Sequence, residues 1–274
     1  MEEKLQQLFY IGDYTTIAQG VAPKDEEGQF IFYRSHIHMG SADFVISKVK
    51  NSSKPMFIGL KLLALASKSK TTKEIDELIP QDDSDLLSDS YYSLCKASIY
   101  SQAGQISEAL ETLLGVEHPE ASALRIHCYL ELNRSDLAQV ELQKMTEGSV
   151  LAIIWKAFIN LRGSREEIQE SLFNLQDLME GYTATPLLQN AIACCHYALD
   201  GWDNGTSEIE SFLTKFPNDK AGQINKAVGL AHQEDYDAFC QQVALLRSQK
   251  SNYNDKLNEL LKDFDTTASR LSSE

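Results

Sequence analysis

The densest group of reactive side chains in the sequence is the triplet Cys194-Cys195-His196. Cysteine next to histidine is typical either of a metal site or of a nucleophile with its base. Successive residues on a helix point about 100° apart, so these three side chains cannot close one tetrahedral site. A second cysteine–histidine pair at zinc spacing does not follow. We therefore interpret the triplet as part of a helix packing surface and predict that the protein binds no metal.

The evidence for a chemical site in other segments is equally weak. The acidic run at residues 81–85 resembles a calcium loop, but it lacks the sharp-turn glycine and the terminal glutamate. His36 and His38 are two residues apart and would face different sides of a helix. The sequence contains no phosphate-binding loop, dinucleotide fingerprint, zinc-protease motif or nucleophile elbow. It therefore predicts a protein that is not an enzyme and has no cofactor.

The charge and the cysteine content exclude further classes of protein. The 274 residues include 25 Lys and Arg and 40 Asp and Glu, which gives a formal net charge of −15. An acidic chain is a poor ligand for nucleic acid or for an anionic lipid surface. Five irregularly spaced cysteines do not form a disulfide framework, and we see neither a signal peptide nor an apolar run of membrane-spanning length. We therefore expect a cytoplasmic protein with reduced thiols.

The elements that carry these residues are predicted to be helices. Apolar residues recur three and four positions apart, as in Ile168, Leu172 and Leu175, while Glu166 and Glu167 lie off the stripe. The same period continues in residues 257–264. Each stripe must be buried against a neighbouring helix, so the sequence predicts an all-α protein.

Short turns between the stripes repeat along the chain. The common pattern is a turn residue, any residue, a large apolar residue, two polar residues and a small residue. Gly104–Ala109, Asn133–Ala138 and Asp200–Gly205 follow it, and further turns are expected at Gly12, Gly40, Lys70, Gly163 and Glu234. The small positions Ala109, Ala138, Ser171 and Gly205 are 29, 33 and 34 residues apart.

A helix–turn–helix unit with a period near 34 residues is typical of tetratricopeptide repeats. The small residue allows two antiparallel helices to cross closely, and a large residue such as Trp202 is expected to fill the core beneath the turn. We predict one tetratricopeptide-like α-solenoid, a right-handed superhelix of antiparallel helix pairs, over residues 1–265. Residues 266–274 are small and polar and are predicted to form a flexible tail.

Without a chemical site, function is expected to follow from the shape of the solenoid. The first helix of each pair should line the concave face, which in such folds commonly holds a segment of another protein. The predicted partner-binding residues on that face are Tyr91, Leu94, Ser98, His127, Glu131, Lys156, Asn160, Asn190, Cys194 and Tyr197.

The residues around the triplet also resemble a known family. In Pro186–Ala198, followed by Trp202, the order Leu-Leu, Asn, Ala, Cys-His, Ala and then Trp is similar to that of the epsilon subunit of coatomer. The segments Leu8–Tyr14 and Asp136–Met145 resemble two further parts of that family.

This resemblance implies a non-enzymatic subunit of the COPI vesicle coat without a cofactor. It implies that the chain binds and stabilises the carboxy-terminal region of the coatomer alpha subunit and contacts other coatomer subunits indirectly. It further implies a role in Golgi-to-endoplasmic-reticulum and intra-Golgi transport, with peripheral association with Golgi membranes and coated vesicles through the coat.

The alternative is a tetratricopeptide adaptor or cochaperone that holds a peptide in its concave groove. Such modules clamp a terminal carboxylate with several cations. Here the predicted groove offers only Lys156 as a cation, beside Asn160 and Asn190.

Overall fold

A computed structural model of the protein describes residues 2–68, 74, 77–80, 84–248, 262–263 and 266. Across these residues the regular elements are fifteen α-helices, and no strand occurs among them, which confirms the all-α prediction. The helices are α1 (Glu2–Tyr10), α2 (Tyr14–Gln19), α3 (Glu26–His38), α4 (Ala42–Val49), α5 (Pro55–Ala66), α6 (Ser90–Gln102), α7 (Ile106–Thr112), α8 (Pro119–Glu131), α9 (Ser135–Leu142), α10 (Val150–Asn160), α11 (Arg165–Gly181), α12 (Pro186–Ala198), α13 (Trp202–Leu213), α14 (Lys220–His232) and α15 (Tyr236–Ser248).

The chain divides into two compact units, Met1–Leu188 and Gln189–Glu274. The single solenoid domain over residues 1–265 stays a prediction. The turn near Lys70, most of the acidic run at 81–85, the stripe at 257–264 and most of the tail at 266–274 lie outside the described residues.

The predicted turns between paired helices share one backbone geometry. The turn residue adopts a left-handed conformation, with φ between 59° and 83°, at Gly12, Gly40, Gly104, Asn133, Asp200 and Glu234. The next residue donates its N–H to a carbonyl five positions back, as from Gln105 to Tyr100 (2.9 Å) and from Gly201 to His196 (2.8 Å). This arrangement satisfies the last carbonyls of the first helix and reverses the chain.

The turn at Gly163 is built differently, as its longer loop predicted. Gly163 has no left-handed φ, and Ser164 instead begins α11 with a capping box. The Ser164 hydroxyl accepts the N–H of Glu167, and the Glu167 carboxylate accepts the N–H of Ser164. The reciprocal pair fixes the start of the longest described helix.

Small residues lie where the paired helices cross. Ala109 and Ala138 are fully buried, and Ser171 is nearly so. At Gly205 an added Cβ would lie 2.5 Å from Cε1 of Tyr197. The spacing of small residues therefore predicted the helix crossings correctly.

Contacts between helices follow the solenoid pattern within Met1–Leu188. Each second helix packs on its own first helix and, where both are described, on the next one, as α9 packs on both α8 and α10. First helices of neighbouring pairs also contact one another, α1 with α3, α3 with α5, α6 with α8 and α8 with α10. The first helices thus form one layer of this unit, which we call the inner layer.

Trp202 is not the core residue that the sequence predicted. It is half-buried, with its ring stacked 3.6 Å from that of His232 and 5.1 Å from that of Tyr197. His232, which stacks on the indole, is the last residue of α14 and is itself exposed.

Candidate functional site

A buried ion pair lies in the inner layer of Met1–Leu188. Nη1 of Arg34, on α3, is 2.5 Å from Oε2 of Glu120, on α8, and the two side chains are 13% and 11% exposed. The guanidinium carbon lies 4.4 Å from the ring centre of Phe9 and 4.8 Å from that of Phe30. The cation is therefore held by a carboxylate and by the negative faces of two aromatic rings.

Aromatic and imidazole rings extend this cluster to α6. The ring of Tyr91 lies 4.6 Å from that of Phe30 and 5.8 Å from that of His118. Nδ1 of His118 accepts the backbone N–H of Glu120 at 3.1 Å. Burial lowers the pKa of His118 and raises the pKa of Tyr91, so both rings stay neutral near pH 7. The cluster joins α3, α6 and α8 without an unpaired charge.

The first helix pair of this unit contacts the unit's last segments. Helix α1 packs against α10, and the Thr185 hydroxyl donates to the carbonyl of Ile11 at 2.5 Å. An added Cβ at Gly12 would lie 3.2 Å from Cβ of Leu187. The inner layer of this unit is therefore curved enough to bring its first pair to the segment after α11.

In the unit that begins at Gln189, amide side chains link α12 to α14. Asn225 Nδ2 donates to Oδ1 of Asn190 (3.1 Å) and lies 3.5 Å from Sγ of Cys194. Asn190 Nδ2 in turn donates to Asp219 (3.2 Å), and the Tyr197 hydroxyl donates to the carbonyl of Asn225 (3.2 Å). The predicted residues Asn190, Cys194 and Tyr197 are thus brought together.

The triplet Cys194-Cys195-His196 is part of helix packing. Cys195 is fully buried, and burial raises its pKa to about 12. Burial also raises the pKa of Cys194 and lowers that of His196. Protonated thiols are poor nucleophiles and poor metal ligands at neutral pH. Among the described residues, no group of three His, Cys, Asp or Glu side chains is placed to hold a metal ion.

The predicted residues on α6 and α8 differ in how accessible they are. Leu94 is buried in the core, and the hydroxyl of Ser98 donates to its carbonyl at 2.7 Å. His127 is half-buried, with its ring 6.1 Å from that of Trp155, and Glu131 is exposed.

Lys156 and Asn160 on α10 point towards the second helix of their own pair. Lys156 Nζ lies 2.7 Å from Oε1 of Glu170, and the buried Asn160 amide donates to Oγ of Ser171 at 3.0 Å. A partner-binding role for the ten predicted residues stays a prediction.

Sequence reasoning missed the pair Arg34 and Glu120, and it missed Asn225. The pair is separated by 86 residues, so helical periodicity gives no sign of it. The one local signal is that Arg34 follows Phe30, Phe32 and Tyr33, an unusual neighbourhood for an exposed arginine.

None of the described helices is both long enough and apolar enough to cross a membrane.

The comparisons with known proteins agree with one another. A family model described as the coatomer epsilon subunit matches residues 4–272. Coatomer subunit epsilon of Dictyostelium discoideum is 27% identical over 96% of each chain, and coatomer subunit epsilon-1 of Oryza sativa subsp. japonica is 25% identical over 83% of each. A crystal structure of a tetratricopeptide repeat protein from Parabacteroides merdae has a TM-score of 0.60 at 18% identity, covering 96% of this chain and 98% of that one. That structural likeness supports the fold alone.

Proposed function

Because the chain belongs to the coatomer epsilon subunit family, we propose that it is a structural, non-enzymatic subunit of the COPI vesicle coat. In this proposal it binds and stabilises the carboxy-terminal region of the coatomer alpha subunit and associates with the other coatomer subunits through it. The coat would then carry the chain on the cytoplasmic side of Golgi membranes and vesicles, in Golgi-to-endoplasmic-reticulum and intra-Golgi transport. The observation that carries the proposal is the family match over residues 4–272.

The packing of the inner layer supports a binding role. Its helices are fixed by capped turns, buried small residues and the ion pair of Arg34 with Glu120. A surface that is already ordered loses little conformational entropy when a partner binds, so more of the contact energy appears as affinity. A rigid, curved wall of helices therefore suits the role of holding a segment of a larger coat protein.

The proposed contact surface centres on accessible residues of α8. His127 is half-buried and Glu131 is exposed at the end of this first helix. Leu94 and Asn160 of the same unit are buried between helices, so in this proposal they support the surface from behind.

The proposal is tested by thermal unfolding of the full chain with a purified alpha-subunit carboxy-terminal fragment. A ligand that binds only the folded state at 100 times its dissociation constant adds about 2.7 kcal/mol to the free energy of unfolding, so the melting temperature should rise by several degrees. An unchanged melting curve at saturating fragment would overturn the partner assignment.

A charge reversal locates the surface. Glu131→Arg should weaken binding of the fragment, measured by calorimetry, because it changes an exposed group on the proposed surface. Glu111→Arg makes the same change on an exposed position of the second helix α7 and should leave the affinity unchanged. Equal effects of the two variants would place the contact elsewhere.

A further inference from the structure

Helix α11 carries a large apolar side chain on its solvent side. Its buried residues Ile168, Ser171, Leu175 and Leu178 form one stripe that faces α10. Phe173 points away from that stripe and is 63% exposed. The Phe173 side chain therefore takes no part in the packing of α11 on α10, and its exposure to water is energetically unfavourable.

Four carboxylates surround Phe173 on the same helix face. Glu170 and Asp177 lie three residues before and four after it, one turn away, and Glu166 and Glu180 lie seven residues before and after it, two turns away on the same face. The only cation in α11 is Arg165, in its first turn. This helix side is thus acidic around one exposed aromatic ring.

A groove of about 530 Å³ adjoins this face. Helices α9 and α11 form its sides and α10 its floor, and the apolar side chains Leu142, Met145 and Ile153 line it. Glu170 and Asn174 belong to both the groove and α11, so the groove and the acidic face are continuous. We call them together the α11 surface.

We propose that the α11 surface binds a cationic segment of another protein, with apolar side chains that cover Phe173 and enter the groove. Charge complementarity favours this occupant because the four carboxylates outnumber the cations next to them, which are Arg165, adjacent to Glu166 in sequence, and Lys156, paired with Glu170. The same carboxylates repel anionic lipid and nucleic acid. Phe173 and the four carboxylates lie on the second helix α11, outside the inner layer, and the groove beside them has the inner-layer helix α10 as its floor. The proposal does not rest on the binding of the alpha subunit.

The test uses the full chain and two fluorescent 16-residue synthetic peptides of identical lysine and leucine composition. One peptide places its lysines and leucines on opposite faces of a helix, and the other has a scrambled order. By fluorescence anisotropy, the amphipathic peptide should bind at least about tenfold more tightly, and raised salt should weaken its binding. Equal affinities for the two peptides would overturn the proposal, as would binding of the chain to phosphatidylserine vesicles through this surface.

Variants distinguish binding of the peptide at the α11 surface from its general electrostatic attraction to an acidic protein. Phe173→Ser should weaken the amphipathic peptide by about fivefold or more, since exposed aromatic anchors often dominate such contacts. The double variant Glu166→Lys/Asp177→Lys should weaken it further. Glu234→Lys/Asp237→Lys makes the same change in net charge at exposed positions at and beside the start of α15 and should have less than a twofold effect.

Unchanged melting temperatures would show that the variants fold, which is expected because all five changed positions are exposed. If both double variants weaken the peptide equally, the attraction is general electrostatics and the proposal is wrong. If Phe173→Ser binds like the unaltered chain, the proposed apolar anchor is wrong.

Discussion

Truncation of the Glu120 carboxylate should destabilise the protein strongly, although the residue lies next to a loop. Glu120 is the ion-pair partner of Arg34, and only 11% of its side chain is exposed. The change Glu120→Ala would leave the guanidinium between Phe9 and Phe30 without a carboxylate. We therefore expect the loss in the free energy of unfolding to come mainly from the unpaired buried cation and only partly from the lost contact.

The magnitude follows from the burial of the pair. Removing one partner of a buried ion pair typically costs about 3–5 kcal/mol. Arg34 retains 13% exposure and two aromatic faces, which still stabilise its charge, so the lower end of about 3 kcal/mol is expected. The double variant Arg34→Met/Glu120→Leu should lose less than Glu120→Ala, because it leaves no charge buried.

Urea unfolding followed by circular dichroism measures these differences, provided that the slope with urea is unchanged. Glu117→Ala is the matched control, because Glu117 is an exposed residue of the loop just before α8 and should change stability by less than about 0.5 kcal/mol. A loss below about 1 kcal/mol for Glu120→Ala, or a larger loss for the double variant, would refute the reasoning.

Two further changes test the packing. Gly205→Ala should destabilise the protein by about 1–3 kcal/mol despite the better helix propensity of alanine, because the added Cβ would meet Tyr197. Gly181→Ala is the control and should be neutral or stabilising, because nothing lies within 4 Å of its added Cβ. Equal urea midpoints for the two variants would argue against the helix crossing at Gly205. Cys240 is exposed, whereas burial raises the pKa of Cys195 to about 12 and so leaves almost no thiolate at pH 8. A disulfide reagent at that pH should therefore label Cys240 rapidly and Cys195 only when the protein unfolds. If Cys195 is labelled rapidly in the folded Cys240→Ser variant, the burial of Cys195 is contradicted.

The helical class and the turn positions could be predicted because they depend on residues close in sequence. A left-handed turn residue such as Asn133 and a small residue five positions later at Ala138 act within one helix pair, so their spacing is visible in the chain. Trp202 shows the limit of this reasoning. Its pattern position predicted the core, but its indole is half-buried and stacks on the exposed His232 of the next helix pair, a contact that the pattern within one pair does not show.

The sequence by itself determined an acidic, all-α repeat chain, because charge, helical period and turn chemistry are local properties. Tertiary structure alone decided that Arg34 meets Glu120 across 86 residues, that Thr185 binds Ile11, and that Phe173 remains uncovered on α11. The physical reason is that the small rotation between neighbouring helix pairs adds up along the stack. Contacts between distant pairs depend on that sum, which no single repeat specifies.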